Sequence, residues 1–183
     1  MSSARTDVAG RIFLTGFMAS GKSTLGPLLA EQLGYRFVDL DREIEQAAGR
    51  SIATIFQGEG EESFRKLERD HLQKVAHLDC VVIALGGGAL MDEPCRQLVA
   101  QSGILIYIRV PVDVILSRLK GARGRPMIAG RDGTPLSGSA LGVRIRALLR
   151  EREGVYRTAH LTVKAGRRDP HAIVREILKS IPR

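Results

Sequence analysis

The amino-acid sequence predicts an α/β protein with three layers, α-β-α, around a central and mainly parallel sheet of five strands, together with a mobile lid. Three observations predict this. Short apolar runs alternate with longer amphipathic stretches from Arg11 to Ile181, the order that gives parallel strands covered by helices on both faces. A glycine-rich segment of phosphate-binding type lies between the first strand and the first helix. The 183 residues, 44% hydrophobic and 26% charged, suffice for one domain whose core needs no disulfide or metal staple. We therefore expect a single domain over 1–183, with its core at about 11–119 and 139–181 and the lid at about 120–138.

Each element has a local reason. Arg11–Thr15 is a short apolar strand. From Lys22 to Leu33, the residues Leu25, Leu28, Leu29 and Leu33 recur at helical spacing, and Gly34 supplies the stop. Phe37-Val38 is a brief second strand that runs into acids. Asp41–Ala48 and Ser51–Gln57 read as short helices, the latter N-capped by Ser51, and Gly60–Ala76 as a charged helix. The run Cys80–Leu85 is a buried strand by its β-branched content, with Cys80 a small buried thiol. Asp92–Gln101 is helical and Ile104–Ile108 is another buried strand. Pro111 starts a helix over Val112–Leu119. A long arginine-rich helix spans Ser139–Arg157, Leu161–Val163 is the last strand and His171–Ile181 the last helix. Lys120–Gly138 breaks the pattern with five glycines and two prolines. Such a segment is either a flexible linker or an active-site lid, and its arginines Arg123, Arg125 and Arg131 suit a lid over an anion.

Composition narrows the partners. Lys and Arg total 28 against 20 Asp and Glu, a net charge of +8. Such a surplus points to an anionic partner, either a nucleotide, an acidic metabolite or nucleic acid, or else reflects compositional bias. Aromatics at 4% and the absence of Trp leave no base-stacking platform, so no nucleic-acid partner is expected. No apolar run approaches the roughly 20 residues that span a bilayer, and Met1–Arg11 lacks a secretory core. The two cysteines form neither a disulfide framework nor a metal pattern. The four histidines show no ligand spacing. A cytoplasmic, monomeric protein with no membrane partner is the expectation.

The chemistry lies just after the strands, where open α/β sheets bind their ligands. Gly16-Phe-Met-Ala-Ser-Gly-Lys-Ser23 fits the phosphate-loop pattern. Its backbone N–H groups and the following helix N-terminus would cradle phosphate, Lys22 would reach the β- and γ-phosphates, and Ser23 would ligate Mg²⁺. This implies a nucleoside triphosphate. In Asp39-Leu-Asp41, alternation along an extended segment would put both acids on one side; they suit a metal-related and a hydroxyl-orienting role, or Asp41 caps the next helix. Gly86-Gly87-Gly88 would let a ligand approach the backbone closely. By pattern alone Arg65, between Glu61 and Glu68, reads first as a surface ion-pair residue rather than a ligand-binding one, and Arg152 has the same ambiguity.

Taken together and in order, Gly16–Thr24, Asp39-Leu-Asp41, Phe64-Arg65, Gly86-Gly87-Gly88, Arg125-Pro126 and Glu151-Arg152 with Tyr156 resemble the shikimate kinases, a nucleoside monophosphate kinase-like P-loop family. The resemblance implies ATP-dependent phosphorylation of the 3-hydroxyl of shikimate, with ATP as co-substrate and Mg²⁺ as cofactor. It implies that Gly16, Ala19, Ser20, Gly21, Lys22, Ser23 and Thr24 hold the phosphates, and that Arg118, Arg168 and Pro170 hold the adenine. It further implies that Ser23 and Asp39 hold Mg²⁺ and that Lys22, Asp41 and Arg125 serve the transfer. Asp41, Arg65, Arg152 and Gly86 to Gly88 would bind shikimate, the two arginines at its carboxylate. Arg123 and Arg131 are alternative carriers of the Arg125 role. Two departures stand out: Ala19 replaces a glycine common in the family, and Leu85 replaces a Thr or Ser.

Overall fold

The structure, a computed structural model, describes residues 10–120, 126–130, 134 and 136–182. Five parallel strands form one sheet: β1 (Arg11–Thr15), β2 (Arg36–Asp39), β3 (Val81–Ala84), β4 (Ile104–Arg109) and β5 (Leu161–Lys164), in the order β2-β3-β1-β4-β5. Phe13 pairs with Ile83 on one side and with Leu105 on the other. β1 is thus the central strand, and the chain crosses from β3 to β4 over it, which makes its carboxyl end the switch point where ligands bind.

Helices cover both faces. α1 (Lys22–Leu33), α5 (Val112–Leu119), α6 (Gly138–Tyr156) and α7 (Pro170–Ser180) contribute to one apolar layer. α2 (Leu40–Ala48), α3 (Ile52–Val75) and α4 (Glu93–Ser102) contribute to the other. The strands show why: Ile12 and Leu14 enter the first layer and Phe13 the second, the two-residue alternation of a strand buried on both faces. No helix among the described residues is long and apolar enough to cross a membrane.

Several local expectations change. Cys80 precedes β3 rather than opening it and is exposed, not buried. Its φ of 52° is a turn conformation, and a turn ahead of the strand faces water. The two helices expected at Ser51–Gln57 and Gly60–Ala76 join as α3, kinked at Gly60, with Ser51 as the expected N-cap accepting from the Thr54 N–H. Asp39 and Asp41 are not alternate residues of one extended segment, because Leu40 already opens α2. Asp39 is its extended N-cap residue without a side-chain cap bond, and Asp41 lies in the first helical turn. Within the segment read as a lid, Pro126–Ile128 forms a single 3₁₀ turn. Ile128 is buried in the first layer, and its carbonyl accepts from the Leu136 N–H at 3.1 Å.

Candidate active site

A cleft of ≈ 740 Å³ opens at the carboxyl ends of the strands and collects residues from the loop after β1, α2, α3, the triple glycine, α5, α6 and the turn after β5. Its floor is the loop from Gly16 to Ser23. Gly16 has φ 139°, and a Cβ there would stand 2.6 Å from the Ile108 carbonyl, so only glycine lets β1 turn into the loop. Gly21, also left-handed, is the N-cap of α1, and Thr24 and Leu25 donate back to its carbonyl at 3.0 and 2.8 Å. Ala19 adopts φ 59°, a conformation that costs an L-residue roughly 1–2 kcal/mol. Ser20 is buried. Lys22 Nζ donates to the carbonyls of Gly16 and Phe17 at 2.8 and 3.1 Å and to Ser20 Oγ at 3.5 Å, which holds a positive charge over the loop.

Ser23 Oγ donates to Asp39 Oδ2 at 2.6 Å. A hydroxyl and a carboxylate side by side at the edge of a phosphate loop are hard oxygen donors, and two of them suit Mg²⁺, which fills its octahedron with waters and phosphate oxygens. The residues present therefore fit this ion. Leu85 is buried in the second apolar layer and brings no polar group to the cleft.

The other end of the cleft is built from charged groups around the triple glycine. A Cβ on Gly88 would lie 2.5 Å from Arg65 Nη2, and one on Gly86 would lie 2.5 Å from Glu68 Oε1 and 2.8 Å from Asp41 Oδ1. Without side chains of their own, these glycines let the ends of Arg65, Glu68 and Asp41 come up against the backbone. Arg152, on α6, is 4% exposed and donates through Nη1 to the Gly87 carbonyl at 3.1 Å. Asp41, Arg65, Arg152 and Gly86 to Gly88, expected together, do share this end.

Sequence reasoning missed Glu68, which it saw only as an ion-pair neighbour of Arg65. Glu68 is 1% exposed. Its Oε2 takes Arg65 Nη1 at 2.5 Å, while Glu61 takes the Nε and Nη2 of the same guanidinium at 3.3 and 3.0 Å. Two acids thus aim Arg65 at the glycines. Its Oε1 is buried without a partner among the described residues. Burial, aided by Asp41 and Asp92 and opposed by Arg65, pushes the Glu68 carboxyl from 4.5 up to about 7.

Protonated Glu68 therefore favours the folded state, a contribution complete below pH 4.5 and lost as the pH rises through about 7. Glu68→Gln keeps an acceptor for Arg65 but cannot ionise. Relative to the parent, the variant should gain stability between pH 4.5 and 8, on the order of 1–3 kcal/mol. Urea unfolding at both pH values measures this; a difference that does not vary with pH would refute it.

Beyond the phosphate loop, Arg118 donates to the Ala19 carbonyl at 2.8 Å and the Gly166 carbonyl at 2.5 Å, tying that loop to the turn after β5. Arg168, in that turn, bonds the Lys164 carbonyl and Glu176, both at 2.6 Å, and Pro170 opens α7. All three line the cleft. Arg123, Arg125 and Arg131 lie outside the described residues.

The family model described as shikimate kinase matches residues 18–182. A shikimate kinase from Salinibacter ruber is 48% identical over 158 residues, covering 86% of this chain and 78% of the relative. One from Chlorobaculum tepidum is 43% identical over 172 residues, 94% of this chain and 90% of the relative. The solved structure of a shikimate kinase from Acinetobacter baumannii in complex with shikimate has a TM-score of 0.85 at 34% identity, covering 93% of this chain and 91% of that one. A gluconokinase from Sinorhizobium meliloti, at 18% identity and a TM-score of 0.57, shares the fold alone.

Proposed function

The chain belongs to the shikimate kinase family, ATP-dependent enzymes that phosphorylate shikimate, and we propose that its cleft carries out this transfer with ATP on the phosphate loop and shikimate at the triple glycine. The observation that carries the reading is the convergence of two guanidinium groups, Arg65 and Arg152, on Gly86 to Gly88 beside Asp41. A planar carboxylate is what two guanidinium forks recognise best, here Arg152 buried and Arg65 half-buried.

In this reading the N–H groups of the loop from Gly16 to Thr24 and the Lys22 ammonium hold the phosphates in place. Arg118, Arg168 and Pro170 flank the adenine. Ser23 and Asp39 would hold Mg²⁺, which when bound neutralises charge on the phosphate oxygens. Arg65 and Arg152 anchor the shikimate carboxylate, and this fixes the ring so that one hydroxyl faces Asp41. Asp41 accepts the hydrogen bond of that hydroxyl and orients its oxygen toward the γ-phosphoryl group. Arg125, with Arg123 and Arg131 as alternatives, is the arginine we assign to the transferring phosphoryl group. We further take the protein to act as a monomer in the cytoplasm.

A coupled assay of ADP release tests this. Shikimate should support turnover, while gluconate, quinate and buffer alone should stay at background. Equal turnover with gluconate would overturn the acceptor assignment. Arg65→Lys and Arg152→Lys keep the charge but lose the fork. Each should weaken shikimate binding by about 1.5–3 kcal/mol, or roughly tenfold to 150-fold, with ATP affinity almost unchanged by calorimetry. Equal losses for both ligands would make these arginines structural.

A further inference from the structure

We propose that Tyr156 is a positioning residue for the acceptor: its hydroxyl fixes the Gly87–Gly88 peptide between the guanidinium groups of Arg65 and Arg152, so that both groups present donors to the acceptor's carboxylate. The inference rests on the reading of shikimate as the acceptor.

Tyr156 stands four residues after Arg152 on α6, hence on the same face of the helix one turn further on. Its hydroxyl donates to the Gly87 carbonyl, the atom that also accepts from Arg152 Nη1 at 3.1 Å. One glycine carbonyl is therefore held by two side chains of α6. The described peptides are trans, and in a planar trans peptide the carbonyl and the next N–H point in opposite directions. Drawing the Gly87 carbonyl toward α6 turns the Gly88 N–H away from α6. Arg65 stands against that same Gly88. Arg152 therefore stands on the carbonyl side of this peptide and Arg65 against Gly88, and Tyr156 sets the angle of the peptide between the two guanidinium groups.

The hydroxyl is not needed to fill space. Tyr156 is 1% exposed, and its ring packs on Tyr107 with centroids 5.2 Å apart; a phenylalanine ring would occupy the same volume. Burial, against the opposing effect of Arg152, pushes the phenol up to about 12, so it stays protonated and remains a donor at neutral pH.

Tyr156→Phe removes only this donor. Losing one neutral hydrogen bond should raise the KM for shikimate about threefold to tenfold, while the KM for ATP and the Tm stay close to the parent's. Tyr107→Phe, which alters the neighbouring ring, should leave the shikimate KM unchanged. The methyl ester of shikimate adds a second readout, because its neutral ester group cannot use the full donor set. Binding of the ester, followed by calorimetry, should be nearly the same in Tyr156→Phe as in the parent. An unaltered shikimate KM in Tyr156→Phe would overturn the inference. So would a parallel rise in both KM values, or an equal penalty on acid and ester. A parent chain inactive on shikimate would instead overturn the acceptor reading, and this inference with it.

Discussion

Lys22→Ala should lower kcat by about 10³-fold or more, while the Tm changes by only a few degrees. Phosphoryl transfer gives the protein little covalent work to do; the rate comes from positioning and from charge placed where the phosphoryl oxygens will be. Lys22 is the ammonium that lies over the loop, with Nζ on the Gly16 and Phe17 carbonyls. The loop itself does not depend on it. Ser20 donates to the Phe17 carbonyl at 3.1 Å, and Thr24 and Leu25 donate to the Gly21 carbonyl, so the backbone keeps its course when the side chain is trimmed. Steady-state assays beside a thermal melt separate the two effects. Near-normal turnover in the folded variant would defeat the kinase reading of the loop, and a collapse of the Tm would make Lys22 a structural residue.

How much of this was legible beforehand depends on how local each signal is. The phosphate loop is consecutive residues between a strand and a helix, and every part of it stands where it was expected. The five strands were legible for the same reason, apart from ends such as Cys80, which a turn with positive φ places outside β3. Asp39 and Asp41 reach the cleft by a different geometry from the one expected. The helix begins at Leu40, so the two acids diverge by helical steps, one lying beside Ser23 and the other beside Gly86. The ion pairs of Arg65 with Glu61 and Glu68 were readable from their spacing, but the burial of Glu68 was not. It depends on which face of α3 meets the triple glycine beyond the kink at Gly60, a fact of tertiary structure. Tyr156 was part of the pattern without a role, because its partner is a carbonyl 69 residues away in sequence.

Asp41 offers the sharpest test of mechanism. Its carboxylate lies in the first turn of α2 with Oδ1 2.8 Å from where a Cβ on Gly86 would stand, at the end of the cleft where we place the acceptor. In a loose transition state little charge develops on the attacking oxygen, so early proton removal gains little. In the role we propose, the larger service of Asp41 is to accept the hydrogen bond of the hydroxyl and hold its oxygen in line, taking the proton late as the new bond forms. Asp41→Ala removes both services and should lower kcat by about 10³-fold or more. Asp41→Asn keeps the shape and an acceptor oxygen but neither the charge nor the capacity for a proton. It should retain roughly tenfold more turnover than the alanine variant, with weakened but measurable shikimate binding. Asparagine as inactive as alanine, with normal shikimate affinity, would show Asp41 to be chiefly a base and refute the orienting role. Asp39→Asn is the contrast. Because Asp39 bonds Ser23 at the edge of the loop where we place Mg²⁺, its defect should ease as Mg²⁺ is raised, whereas neither Asp41 variant should respond.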